Sequence, residues 1–219
     1  MKTTPGRNRL MRVYGMLREA YGPRHWWPAD TPFEVCVGAI LTQSASWTNV
    51  EKAIANLKEA GLLSPSGILK TENRKLARLI RPSLYYNVKA RKLKEFARFL
   101  SGFGGRVEGM AEAPTEELRG ELLAVWGIGP ETADSILLYA LGRPTFVVDA
   151  YTRRIFSRLG MVGEGSSYDG VKAFFEGNLP RDAALYNEYH ALIVEHGKVA
   201  CRTRERCDGC CLGRICAGG

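Results

Sequence analysis

Val125-Trp126-Gly127-Ile128-Gly129-Pro130-Glu131-Thr132-Ala133-Asp134, with Phe146-Val147-Val148-Asp149 about one helix further on, is the stretch that decides the fold. Gly127 and Gly129 flank Ile128, so the chain can turn sharply and aim backbone N–H groups outward while Ile128 plugs the turn into a core. The helix expected from Pro130 to about Leu141 begins at this turn and adds the positive end of its dipole at the same spot. A phosphate can sit there without any base contact, which assigns Gly127, Ile128, Gly129 and Thr132 to a phosphate-gripping hairpin. A lone Gly-x-Gly more often marks only a tight connection between packed helices. The longer run Gly-Ile-Gly-Pro-Glu-Thr-Ala, with apolar helical text on both sides, favours the phosphate-binding reading.

Outward from the hairpin, nearly every segment repeats the helical period. Leu10, Val13, Tyr14 and Leu17 form a stripe closed by Gly22; Val50, Ile54 and Leu57 form a second, and Leu93, Phe96, Ala97 and Leu100 a third. Thr115 after Pro114, with Glu116 and Glu117 in the first turn, opens the helix that enters the hairpin. Ile155, Phe156 and Leu159 precede Gly160, and Leu185, Tyr189, Leu192 and Ile193 form the last long stripe. Thr145 to Val148, the one strand-like run, is too short to found a sheet, so the expected fold class is all-α. No linker rich in Pro, Gly or Ser, no internal repeat and no low-complexity tract divides the chain.

A chain of 219 residues with 45% hydrophobic content can bury one large or two small cores. Lys plus Arg number 31 against 23 Asp plus Glu, a net charge of +8. With a pI of about 9.3 this balance favours a polyanionic partner through counterion release, although basic charge also serves acidic membranes or plain solubility. No run of eighteen apolar residues is present, and Met1-Lys2-Thr3-Thr4 opens no apolar stretch of the signal-peptide kind. No membrane partner is expected, and the expected location is cytoplasmic and nucleoid-associated.

Four of the six cysteines crowd the end as Cys201-x5-Cys207-x2-Cys210-x5-Cys216, which in a reducing compartment reads as a metal site. Tetrathiolate sites hold zinc or an iron–sulfur cluster, and the spacing by itself leaves both open. Cys211 is available as a substitute ligand. Cys36, within Phe33-Glu34-Val35-Cys36-Val37, reads as an inert core thiol. Arg202, Arg204, Arg206 and Arg214 surround the cysteines and suit either solvation of an anionic cluster or phosphate contacts.

The hairpin, Asp149 and the cysteine tail resemble the helix-hairpin-helix DNA glycosylases of the endonuclease III superfamily across nearly the whole chain. The resemblance implies a six-helix domain at 31–143 and a second helical domain from 1–30 with 144–219 carrying a [4Fe-4S] cluster on Cys201, Cys207, Cys210 and Cys216. One departure is the first cysteine gap, five residues where the family usually has six. Asp149 matches the family's catalytic aspartate; read alone it would be a helix N-cap, and the two roles are compatible. Bifunctional members place a lysine in the hairpin helix to form a Schiff base with the sugar. Glu131 stands there in this chain, so strand cleavage should be absent or feeble.

Trp26-Trp27-Pro28, Leu41-Thr42-Gln43, Arg81-Pro82-Ser83, Tyr86-Asn87 with Lys89-Ala90, and Gly-Ile-Gly-x-Glu look most like the bacterial 3-methyladenine DNA glycosylase III branch. That branch lacks the cluster, so the chain combines two sets of family features. The resemblance implies a base pocket of Trp26, Trp27, Pro28, Trp47 and Glu131, with aromatic rings suited to cationic purines, although tryptophans also serve as core or domain-interface residues. It also puts Gln43 and Tyr85 at the positions that fill the gap left by a flipped base, with Tyr86 or Leu84 facing the core. His190 and His196 read as packing residues near the cluster, and His25 as a surface residue. The expected function is a monofunctional, monomeric glycosylase releasing alkylated purines such as 3-methyladenine from damaged double-stranded DNA. The alternatives are a uracil, thymine-mismatch or oxidised-pyrimidine glycosylase of the endonuclease III type, and a non-catalytic DNA-binding paralogue.

Overall fold

A computed structural model describes residues 5–24, 26–204 and 206–216; His25 lies outside the described residues. Among these residues every regular element is helical, as the periodicity predicts, and no helix is long and apolar enough to cross a membrane. The chain divides into two compact units, one of residues 1–26 with 144–219 and one of residues 27–143. The resemblance places the first boundary four residues later, between residues 30 and 31.

The 27–143 unit holds seven α-helices where six are expected: α2 (Pro32–Leu41), α3 (Trp47–Glu59), α4 (Pro65–Lys70), α5 (Asn73–Leu79), α6 (Tyr86–Ser101), α7 (Thr115–Ala124) and α8 (Pro130–Ser135). The additional element comes from two short helices, α4 and α5. Ser64 caps α4 by accepting from the Gly67 N–H, with Pro65 at the first helical position. α2 is the central helix. Phe33 through Leu41 are all buried, and Thr31 caps the helix by accepting from the Glu34 N–H at 3.2 Å. The stripes Val50, Ile54 and Leu57 on α3 and Leu93, Phe96, Ala97 and Leu100 on α6 close over the same core, together with Cys36.

The helix expected from Pro130 to Leu141 changes character midway: after α8 the chain widens into a π-helical segment, Ile136–Ala140, which ends where Gly142 takes φ +63°. α7 and α8 are locked together by a buried ion pair. Arg119 donates from Nε to Asp134 Oδ1 at 2.8 Å and from a second nitrogen to Oδ2 at 3.2 Å, and Asp134 has no exposed surface. A two-pronged guanidinium contact holds direction as well as distance, so it fixes the angle between the two hairpin helices.

The second unit contains α1 (Pro5–Tyr21), α9 (Ala150–Arg158), α10 (Tyr168–Asn178) and α11 (Ala183–Val199). Its core is aromatic: Phe146 stacks on Phe175 at 4.0 Å, with Phe156, Tyr186 and Tyr189 edge-on around them. The Tyr189 hydroxyl donates to the Leu10 carbonyl at 2.7 Å and ties the N-terminal helix to α11. Thr145–Val148 is extended but joins no sheet. Its polar backbone is satisfied by side chains, with the Phe146 N–H donating to Glu176 at 2.7 Å and the Val148 N–H to the Tyr168 hydroxyl at 3.3 Å.

Arg119→Met should lower stability by about 3–5 kcal/mol, because it leaves the buried Asp134 carboxylate without its guanidinium. Chemical denaturation followed by circular dichroism reads that loss, and a change under about 1 kcal/mol would show the pair is not what holds α7 against α8.

Candidate active site and nucleic-acid interface

The hairpin has the predicted build. Gly127 takes φ +87°, Ile128 is 5% exposed and plugs the turn, and Gly129 is the N-cap of α8 ahead of Pro130. Gly127 is required for a second reason. A Cβ there would fall 2.5 Å from Cγ of Lys92, whose stem passes beneath the turn.

Gln43 completes this corner. Its Nε2 donates to the Gly127 carbonyl at 3.1 Å and to the Thr132 hydroxyl at 2.9 Å, while its Oε1 accepts from Lys92 Nζ. The resemblance sends Gln43 toward an orphaned base and Thr132 toward DNA. In this structure both ends of the Gln43 amide are engaged inside the protein, and Thr132 is buried.

The Leu84–Tyr85 loop, where the resemblance implies a gap-filling residue, is strained. Leu84 and Tyr85 take φ +61° and +43°, a region that costs residues with a Cβ about 1–2 kcal/mol each. Both side chains are exposed, Tyr85 at 68%, and Tyr86 is the one that packs inward. Lys89 holds the loop in place. It is 2% exposed, and its amine donates to the carbonyls of Ser83 and, at 2.8 Å, Leu41. One buried amine thus fastens the end of α2, which leads into Gln43, to the start of the Tyr85 loop. Burial, with Lys92 nearby, pushes its pKa down to about 8.

Trp27 and Trp47 meet edge to face at 4.9 Å, and Tyr139 tilts against Trp27 at 5.0 Å. Trp27 lies flush on Gly38, where a Cβ would sit 3.1 Å from the indole, and Trp47 Nε1 donates to Glu51 at 2.9 Å. Tyr139 is the residue that sequence reasoning missed. It stands in an apolar run that reads as core and lies within the π segment beside Trp27. Trp26 belongs to the other unit, where Lys198 lies 5.7 Å over its ring. Pro28 and Glu131 are exposed, Glu131 in the first turn of α8.

Asp149 is the N-cap of α9. Its Oδ1 accepts from the Thr152 N–H at 2.7 Å and the Thr152 hydroxyl at 2.9 Å, and its side chain is 12% exposed behind buried Phe146, Val147 and Val148. Oδ2 faces His190 Nε2 at 3.6 Å, beyond hydrogen-bond length. The cap engages one oxygen and leaves Oδ2 outside it. His190 is therefore not a packing residue near the cysteines but a neighbour of the carboxylate. Burial pushes its pKa below the usual 6.5, against the pull of Asp149, so the imidazole is neutral at pH 7.

Cys201, Cys207, Cys210 and Cys216 line one cavity with Leu159 and Leu212. Cys211 is not among its lining residues; its sulfur lies 3.8 Å from His196 Nδ1, which also meets the Tyr21 hydroxyl at 2.8 Å. Two arginines of α9 sew the loop down. Arg154 donates to the Cys201 carbonyl at 2.9 Å, and Arg158 to the Cys201 sulfur at 3.3 Å and the Arg202 carbonyl at 2.8 Å. Among the described residues no group of three or more His, Cys, Asp or Glu side chains converges tightly enough to hold a single ion.

A glycine hairpin between two rigidly paired helices, followed by a capped aspartate on the next helix, defines the helix-hairpin-helix class of DNA repair proteins. The chain belongs to the HhH-GPD superfamily of base excision DNA repair proteins, whose family model matches residues 37–181. A Methanocaldococcus jannaschii protein provisionally named a DNA repair glycosylase is 52% identical over 209 residues, covering 94% of this chain and 95% of that one. Endonuclease III of Thermotoga maritima is 31% identical over 196 residues, 89% of this chain and 86% of the relative. Among solved structures, the H. pylori 3-methyladenine DNA glycosylase MagIII bound to 1,N6-ethenoadenine superposes with a TM-score of 0.76 at 32% identity, covering 89% of this chain and 98% of that one. An endonuclease III–DNA complex superposes at 0.83 over all of this chain and 97% of that one; at 22% identity this likeness speaks for the fold alone.

Wild-type thermal stability should fall as pH drops from 7 to 5.5, because the unfolded imidazole of His190 takes up a proton that the buried one resists. His190→Gln should flatten that slope in melting curves across the window. An unchanged slope would place His190 in a more solvated site.

Proposed function

We propose that this DNA glycosylase is monofunctional and releases alkylated purines, chiefly 3-methyladenine, from duplex DNA. The observation that carries the substrate class is the set of three rings, Trp27, Trp47 and Tyr139, gathered at one place in the 27–143 unit. Electron-rich ring faces attract a cationic base more than a neutral one, and a flipped alkylpurine presents a positive, planar face. The likeness to the H. pylori enzyme, crystallised with an ethenoadenine, supports a purine.

Asp149 supplies the charge that the reaction needs. As the base leaves, positive charge grows on the sugar, and the Oδ2 carboxylate oxygen stabilises it and orients the attacking water. The cap on Oδ1 holds the carboxylate in a fixed direction. An alkylated purine leaves as a neutral base, so no acid has to protonate it. His190, neutral beside Asp149, fits such a site. Glu131 cannot form an imine, so base release proceeds without strand cleavage.

The four cavity-lining cysteines are the ligand set we propose for a [4Fe-4S] cluster. The four sulfurs share one cavity, and the likeness to endonuclease III favours a cluster over a single zinc. When bound, it would cross-link the tail that Arg154 and Arg158 already pin to α9. The Arg158 guanidinium beside Cys201 suits a thiolate.

A panel of lesion-bearing duplexes, scored separately for base release and strand cleavage, tests this reading. Methylated purines should be released without cleavage, and Asp149→Asn should slow release by about 10²–10⁴-fold. Preferential release of uracil, thymine or oxidised pyrimidines would transfer the chain to the endonuclease III type. No release of any base would make it a DNA-binding paralogue.

The purified protein should be brown with an iron–thiolate absorption band. Cys207→Ser should lose iron, and Cys211→Ser should keep it. Equal iron in all three proteins would remove Cys207 from the ligand set.

A further inference from the structure

The hairpin is preceded by a large indole left in solvent. Trp126 is 45% exposed, and the Arg91 guanidinium carbon lies 4.0 Å from its ring centroid on one face. Exposing a tryptophan and spending an arginine on it costs solvation of both and has no packing return within the 27–143 unit. Arg91 has one weak competing contact, Glu95 at 3.9 Å.

The stacked pair does not stand alone. Along α6, Tyr85, Val88 and Arg91 follow at three-residue spacing and are all exposed, so one helix face runs from the strained Tyr85 loop to Trp126 beside Gly127. The next residue, Lys92, is the cation beneath the hairpin. This strip is apolar with a cationic end and joins the two DNA-directed loops.

We infer that Trp126 and Arg91 form a plate that receives the sugar–phosphate backbone of duplex DNA next to the phosphate held at the hairpin. The indole edge covers the apolar face of a deoxyribose while the guanidinium, held flat by the ring, reaches the adjoining phosphate. Because these contacts touch no base edge, the plate adds affinity for damaged and undamaged duplex alike. The inference rests on the proposed grip of the hairpin on duplex DNA.

Binding is measured by fluorescence anisotropy on undamaged and lesion-bearing duplexes over a salt series, with single-turnover base release at saturating protein. Trp126→Ala should weaken both duplexes equally, by about ten-fold, with the single-turnover rate at saturating protein falling less than the affinity, and Trp126→Phe should recover most of the affinity. Arg91→Ala should lower the slope of log affinity against log salt by about one. Wild-type affinity in Trp126→Ala throughout the salt series, while the wild-type protein binds duplex, overturns the plate alone. A wild-type protein that binds no duplex overturns both the plate and the glycosylase reading. A selective loss for lesion-bearing duplex would place Trp126 in base recognition and likewise refute the plate.

Discussion

The Lys92 stem runs so close beneath Gly127 that an added Cβ would fall 2.5 Å from its Cγ, and the polar corner of the 27–143 unit is built around this contact. The turn above can exist only with glycine, at positive φ. Lys92 then gives its ammonium to Gln43, and Gln43 returns two hydrogen bonds to the hairpin, so α2, α6 and α8 meet at one polar corner. The Arg119–Asp134 pair sets the remaining angle, between α7 and α8. Each link is short and directional, and together they leave the hairpin little freedom. A phosphate site built from backbone groups needs this rigidity, since it has no long side chain to adjust.

The other unit uses one helix for two purposes. α9 begins at the Asp149 cap and carries Arg154 and Arg158 on later turns, where they hold the cysteine loop. The carboxylate and the tail are therefore supported by the same rod. A disturbance of the cysteine loop would pass directly into α9, the helix that Asp149 caps. His190, one helix away, faces the second carboxylate oxygen at 3.6 Å.

Much of this was legible in the residues, and what was not has a physical cause. Period and punctuation suffice for all-α: the stripes on α3 and α6 are buried where the spacing puts them, and those on α1 and α11 are buried except at half-buried Tyr14 and Leu185. The hairpin and the Asp149 cap were legible because glycine at positive φ and an acid at an N-cap are local demands of the backbone. Contacts made across elements were not. Nothing in the spacing of Gln43, Lys92 and Thr132 announces their network, and nothing near Asp149 points to a histidine 41 positions later. Tyr139 was hidden because a π segment shifts side chains by one position relative to the helix that periodicity assumes.

Lys89 and Lys92 sharpen the electrostatic argument. Their amines are bound to carbonyl and amide oxygens, with no carboxylate among their hydrogen-bond partners. Burial pulls both pKa values down, with Lys92 adding to the effect on Lys89, so the resting protein bears an unfavourable charge pair behind its hairpin and the Tyr85 loop. A structure that needed only to be stable would have placed acids here, as it does with Asp134 beside Arg119. Leaving the corner positive keeps an outward field aimed at whatever approaches the two loops. If duplex DNA lies against these loops as proposed, its phosphates would bring the missing counter-charge. Raising the salt concentration screens that attraction, and the grip on duplex should weaken with it.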